Sequence, residues 1–173
     1  MNTRAVRIVA SAFALIAIAV LGFGTPAMAQ DNPPAKPIDL PCATGASAQV
    51  LGSTLVNDGT QNLLQVRVIL EPGGGFTEHT HPGYVVATVE SGLFGFTHHG
   101  DGEMMVNRAA TADGEAIQEP LPHGVETTLN PGDWFVETGM VHTGVNLSDG
   151  QTTVLVTGLI EPGQPLTICA EGT

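Results

Sequence analysis

Residues 73–92, GGGFTEHTHPGYVVATVESG, decide how the rest of the chain is read. A glycine-rich turn delivers two histidines at alternate positions, His79 and His81, and a β-rich run follows Pro82-Gly83. In a strand, residues i and i+2 share a face and stand about 6.5 Å apart along the axis. Two imidazoles placed in this way reach one cation if a third ligand arrives from elsewhere. They are equally compatible with a solvated histidine pair, so the remainder of the chain must decide.

Outward from this stretch, short β-rich runs alternate with glycine and proline, and a 3.6-residue period is almost absent. Residues 62–70 read as a strand that Glu71-Pro72-Gly73 stops. Residues 93–97 read as another, joined by an Asp101-Gly102 hairpin to 103–106. Residues 125–129 lead through Pro131-Gly132 to 134–136, and 152–160 form a last long run interrupted by Gly158. Strands at this spacing predict an all-β sandwich or barrel. Residues 107–122 are the least regular and read as a surface excursion. Residues 31–41 carry four prolines and read as an extended leader.

The first 29 residues have the pattern of an export signal. Arg4 and Arg7 precede an apolar run over about 8–23, and Ala27-Met28-Ala29 fits the small-residue cleavage pattern. The run is short for a membrane span, so no stable anchor is expected after cleavage. The expected organisation is therefore signal peptide 1–29, leader 30–47 and barrel 48–173, in the periplasm or outside the cell.

Charge and cysteines agree with that destination. Without the signal, only Lys36, Arg67 and Arg108 face all 17 acids, a formal charge of −14. Such a protein repels nucleic acid and anionic lipid, which excludes nucleic-acid binding. Two cysteines, Cys42 and Cys169, lie near the ends of the mature chain. In an oxidising compartment a lone pair reads first as a disulfide, ahead of a reactive thiol or soft metal ligands. Closing a loop of roughly a hundred residues or more stabilises by about 4–5 kcal/mol on the chain-entropy argument.

A second stretch, PGDWFVETGMVHTGVN over 131–146, offers the third ligand in His142. With it the chain resembles the cupin superfamily of double-stranded β-helix, jelly-roll-like barrels. Gly73, His79, His81 and Gly92 fall on the first cupin motif, G-x5-H-x-H-x3/4-E-x6-G. Gly139, His142 and Asn146 match the close of the second, G-x5-P-x-G-x2-H-x3-N, and Gly132 matches its opening after a one-residue deletion. The resemblance covers roughly residues 63–160. It departs at two positions: Val85 stands where the metal-binding glutamate belongs, and Glu137 replaces the proline of the second motif.

Carried over residue by residue, the resemblance implies a divalent metal (Fe, Mn, Zn, Ni or Cu) on His79, His81 and His142. Three-histidine sites occur in the thiol dioxygenase branch, and also in degenerate members. Losing the carboxylate weakens binding to hard cations and removes an obvious general base. Glu137 is a candidate to restore either role, the alternative being a rim carboxylate. Tyr84 and Met140 are candidates to line the pocket, and Asn146 to order the surrounding backbone. Glu78 and Glu90 are expected to face outward, and His98, His99 and His123 to be solvated loop residues. Three kinds of function remain open: an oxygenase acting on a small organic anion, a non-catalytic module binding metal or a small molecule, and a structural remnant without metal. Pairing into a homodimer through outer sheet faces is compatible with the family.

Overall fold

The computed structural model describes residues 38, 40–110, 112 and 114–170. The expected signal peptide and half of the leader, residues 30–37 and 39, lie outside them. The described residues form eleven strands and no helix: β1 (Ala43–Val56), β2 (Gln61–Thr80), β3 (Gly83–Ser91), β4 (Phe94–His98), β5 (Met104–Arg108), β6 (Ile117–Leu121), β7 (Thr127–Leu129), β8 (Trp134–Glu137), β9 (His142–Asn146), β10 (Thr152–Ile160) and β11 (Ile168–Cys169). All pairs are antiparallel, in the order β6-β5-β8-β3-β10-β2-β9-β4-β7, with β1 and β11 also on β2. The sheet begins at Ala43, inside the stretch read as leader.

The long β2 is the corner of the barrel. Its first half pairs with β10 from Asn62 to Leu70, and its second half pairs with β9 from Gly75 to His79. Pro72-Gly73 therefore bends the strand where the sequence predicts a stop. The bend is tolerated because the β1 ladder skips from Leu70 to Gly75, so the missing N–H of Pro72 costs no ladder bond. Gly73 supplies the positive φ of 73° that the corner needs. At Gly74 a Cβ would stand 2.4 Å from the Gly45 carbonyl oxygen, so the crossing of β1 over this corner demands glycine.

Alternation packs the interior. Leu64, Val66, Val68 and Leu70 of β2 meet Val85, Ala87 and Val89 of β3 and Val154, Val156 and Ile160 of β10, all buried. Two expectations about connections fail. Asp101-Gly102 does not close a hairpin, because β4 pairs with β9 and β7 while β5 pairs with β6 and β8. The turn instead carries the chain from one side of the barrel to the other. The excursion over 107–122 also contains a real strand, β6, whose Pro120 is accommodated because β6 ends the sheet order.

Candidate metal centre

Two strands bring the three histidines together. His79 and His142 are direct cross-strand partners in the β2–β9 ladder, and His81 follows His79 on the inward face. All three are buried, and one nitrogen from each lies within 4.8 Å of the others. Ring centroids stand 4.1 Å apart for His79–His142, 5.1 Å for His81–His142 and 5.3 Å for His79–His81.

The tautomers follow from hydrogen bonding. His79 Nδ1 donates to Thr77 O at 2.8 Å, His81 Nδ1 to Leu166 O at 2.7 Å, and His142 Nδ1 to Met140 O at 2.8 Å. A carbonyl only accepts, so in each neutral ring the proton sits on Nδ1 and the lone pair on Nε2. Backbone carbonyls thus aim three Nε2 lone pairs inward, the outer support that metal-binding imidazoles require.

Glu137 enters the same space from β8. Its Oε2 lies 2.9 Å from His142 Nε2 and 3.2 Å from His81 Nε2, yet no hydrogen bond of acceptable geometry reaches this buried atom. With neutral rings these are contacts between acceptors, stable only with a proton or a cation among them. Burial would by itself raise the Glu137 pKa, but the imidazoles beside it, His142 foremost and then His81, hold it well below the usual carboxylate range. Burial likewise opposes a proton on His81, and the adjacent Glu137 carboxylate overcomes it, leaving that pKa raised. Burial, with His142 nearby, pushes His79 down to about 3. Ligands about 2.1 Å from one ion stand about 3.0–3.4 Å apart, much like the spacing of Oε2 from the two imidazole nitrogens. The three-histidine group in this fold is therefore compatible with a divalent ion.

The histidines line a cavity of about 40 Å³. Glu137 and Thr167 are its other polar side chains; the remaining walls are apolar, led by Phe76, Phe94, Phe96 and Phe135, with no lysine or arginine. Phe96 stacks on His142 at 5.2 Å.

Several expectations need revision. Tyr84 is 60% exposed, on the opposite face of β3 from the inward Val85, and does not line the cavity. The half-buried Met140 side chain packs against the core beside Gly100 and does not line the cavity either; its carbonyl serves the site. His98 belongs to β4, is 1% exposed and donates through Nε2 to Leu121 O at 2.8 Å, because the β4–β9 ladder continues through His98 opposite His142. Other expectations match. Glu78 is exposed, Glu90 pairs outside with Arg67, and His123 is exposed. Asn146 orders backbone: its amide nitrogen lies 2.7–3.0 Å from three carbonyls and its oxygen accepts from Ser148 N and Thr152 Oγ1. Cys42 and Cys169 form a disulfide. Sequence reasoning missed Leu166 and Thr167, which wall the cavity from the far end of the chain; nothing in their local sequence signals this.

No family model matches the sequence, and no curated protein sequence matches it. Among solved structures, the polyketide cyclase RemF from Streptomyces resistomycificus aligns over 79% of this chain and 82% of its own, with a TM-score of 0.50 at 15% identity. KdgF from Halomonas sp. aligns over 71% and 86%, at 0.46 and 18% identity. An RmlC-like cupin from Shewanella frigidimarina NCIMB 400 aligns over 75% and 86%, at 0.47 and 18% identity. The chain has the cupin fold, an all-β double-stranded β-helix. At these identities the likeness is one of fold alone.

Proposed function

We propose that this is an exported protein that binds one divalent metal ion through His79, His81, His142 and Glu137 and presents it to a small, weakly polar molecule. One observation carries the reading: one nitrogen from each of three buried imidazoles converges with the carboxylate of Glu137, whose buried Oε2 has no hydrogen-bond partner. Such a set costs free energy unless a cation or proton joins it. Three nitrogens and one oxygen suit first-row ions such as iron, manganese, nickel, copper or zinc, and do not choose among them. When bound, the ion would supply Lewis acidity or, if redox-active, electron transfer.

The chain's own residues would set the ligand. A cavity of about 40 Å³ holds only a few water-sized groups, at roughly 10–15 Å³ each. Its phenylalanine walls exclude water and offer an anion no positive side chain. This favours a ligand with one donor atom and an apolar body over the small organic anion expected from the sequence. Glu137 is fixed by two imidazoles and is better suited to holding charge than to moving protons between bulk water and a ligand.

Export is supported by the positive start, apolar run and cleavage pattern of residues 1–29, and by the disulfide, which persists in oxidising compartments. The test is elemental analysis of the protein recovered from its own compartment, beside His81→Ala. About one equivalent of a transition metal, lost in the variant, supports the reading. No metal in the native protein, and no rise in melting temperature with any of the five ions, would leave a structural barrel whose cluster is closed by a proton.

A further inference from the structure

The three imidazoles are not supported alike. His79 and His142 donate to the carbonyl two residues before each of them, Thr77 and Met140. His81 donates to Leu166, 85 residues away in sequence. Two orientations are therefore written into local strand geometry, while the third depends on where the C-terminal end of the barrel is held.

That end is a narrow strap, residues 166–170. Leu166 and Thr167 are buried against the cavity, but Ile168 and Cys169 are exposed. Only Ile168 and Cys169 pair with β2, opposite Thr80 and His79. Beyond that pairing, the Ala170 N–H donates to Glu78 O at 2.9 Å, and Thr167 Oγ1 donates to Pro41 O at 2.7 Å. A two-residue ladder at a chain end frays readily when nothing else ties it down. Here the tie is covalent, Cys169 to Cys42. The other half of the bond also touches the site: Cys42 O accepts the Thr77 N–H at 2.9 Å, and Thr77 is the residue whose carbonyl orients His79.

We infer that the Cys42–Cys169 disulfide is a positioning clamp for the metal centre, so that affinity for the ion depends on the oxidation state of this pair. The inference rests on the metal-binding reading above. With the bond intact, Leu166 O is fixed over His81, which keeps its proton on Nδ1 and its lone pair aimed at the ion. With the bond broken, the strap frays, His81 loses the partner that selects its tautomer, and one wall of the cavity opens. Breakage needs a dithiol. One of its sulfurs attacks exposed Cys169, the S–S bond breaks, the dithiol closes to its own disulfide, and two electrons and two protons leave Cys42 and Cys169 as thiols. A protein built in this way would hold its ion in an oxidising compartment and release it on reduction.

The test compares full-length mature protein in oxidised form with the same protein reduced by dithiothreitol and freed of it under argon, and with Cys42→Ser/Cys169→Ser. Cobalt(II) affinity is measured by competition, and two-bond ¹H–¹⁵N correlations of the metal-free protein report each histidine tautomer. Loss of an outer partner of a metal-bound histidine weakens binding by about 10–100-fold, and that loss is expected in both thiol forms. The His81 ring should shift from the single Nδ1–H tautomer to a mixture, while His79 and His142 keep theirs, a signature that general loosening would not give. Equal cobalt affinity with an unchanged His81 ring would overturn the clamp and leave the metal reading standing. Failure of every form to bind cobalt would overturn both. If the thiol forms unfold, the comparison is repeated in an osmolyte that restores folding: weaker cobalt binding with His81 alone perturbed supports the clamp, while affinity and spectrum equal to those of the oxidised protein, or thiol forms that stay unfolded because the bond serves the whole fold, overturn it.

Discussion

Glu137 lies directly across the β3–β8 ladder from Val85, the position at which the cupin motif places a glutamate. Both residues are buried and point inward. Direct cross-strand partners project from the same face with Cβ atoms about 5 Å apart. A carboxylate moved from one to the other enters the same space from the neighbouring strand. The second departure from the motif, glutamate where proline belongs, is thus the complement of the first.

This relationship predicts a rescue. Glu137→Gln removes the charge with little change in shape and should weaken divalent-ion affinity by about tenfold or more, as lesser changes around metal ligands already do. Glu137→Val should do the same. Adding Val85→Glu to Glu137→Val should recover most of the affinity, measured by calorimetry. A double variant no better than Glu137→Val would show that the two positions are not equivalent and that Glu137 acts only through its imidazole contacts.

Asp133, on the turn that starts β8, predicts an acid limb in stability. Burial would by itself raise its pKa, but the Asn130 and Ala109 N–H groups and Arg108 hold it below the ordinary 3.8. A depressed carboxylate contributes stability above its unfolded pKa and loses it as pH falls through the folded value. Urea midpoints of the native protein should therefore drop as pH falls below about 4. Asp133→Asn should be less stable at pH 7, by about 1–3 kcal/mol, and should show a flatter acid limb. Parallel acid limbs in the two proteins would assign the effect to other carboxylates.

The parts legible in the sequence were those that depend on local spacing. His79 and His81 announce one strand face, Gly139 and His142 announce the second ligand run, and the β-rich segments at 83–91, 94–98 and 152–160 are strands. The parts that were not legible depend on register between strands, which no local pattern fixes. Whether Glu137 points inward beside His142 or sits at the rim is settled by its pairing with Val85. His98 looked like a loop residue because Asp101-Gly102 looked like a hairpin; pairing of β4 with β9 makes it core. The contact of Leu166 with His81 spans 85 residues of sequence, and only the two cysteines hint that the C-terminal segment is held near the site.

Gly144 sits between His142 and Asn146 on the inward face of β9. A Cβ there would stand 2.5 Å from Phe94 Cζ and 2.9 Å from Cε2, so the ring must move toward the cavity it lines. Gly144→Ala should cost about 1–3 kcal/mol as an overpacking change, read from denaturant midpoints. Shortening the ring in Gly144→Ala/Phe94→Leu should relieve part of that, so the cycle of single and double variants should show favourable coupling. Strict additivity would mean that the strain is taken up elsewhere.

His98 and His142 separate the metal centre from the histidines around it. They are cross-strand partners and both are buried, so inspection of the ladder alone would admit either as a ligand. Hydrogen bonding separates them. His98 spends Nε2 on Leu121 O, its ring stands edge-on to His123 at 5.5 Å, and it does not line the cavity. An ion that binds only the native state at a hundred times its Kd adds about 2.7 kcal/mol of stability. That gain should vanish in His142→Ala. His98→Asn should start lower, by about 1–3 kcal/mol for the donor lost from a buried carbonyl, yet keep the full metal-dependent gain. Thermal melts of the three proteins with and without the ion found by elemental analysis make the comparison. If His98→Asn loses the gain while His142→Ala keeps it, the ion sits on the other side of the β4–β9 pair and the assignment to His79, His81 and His142 is wrong.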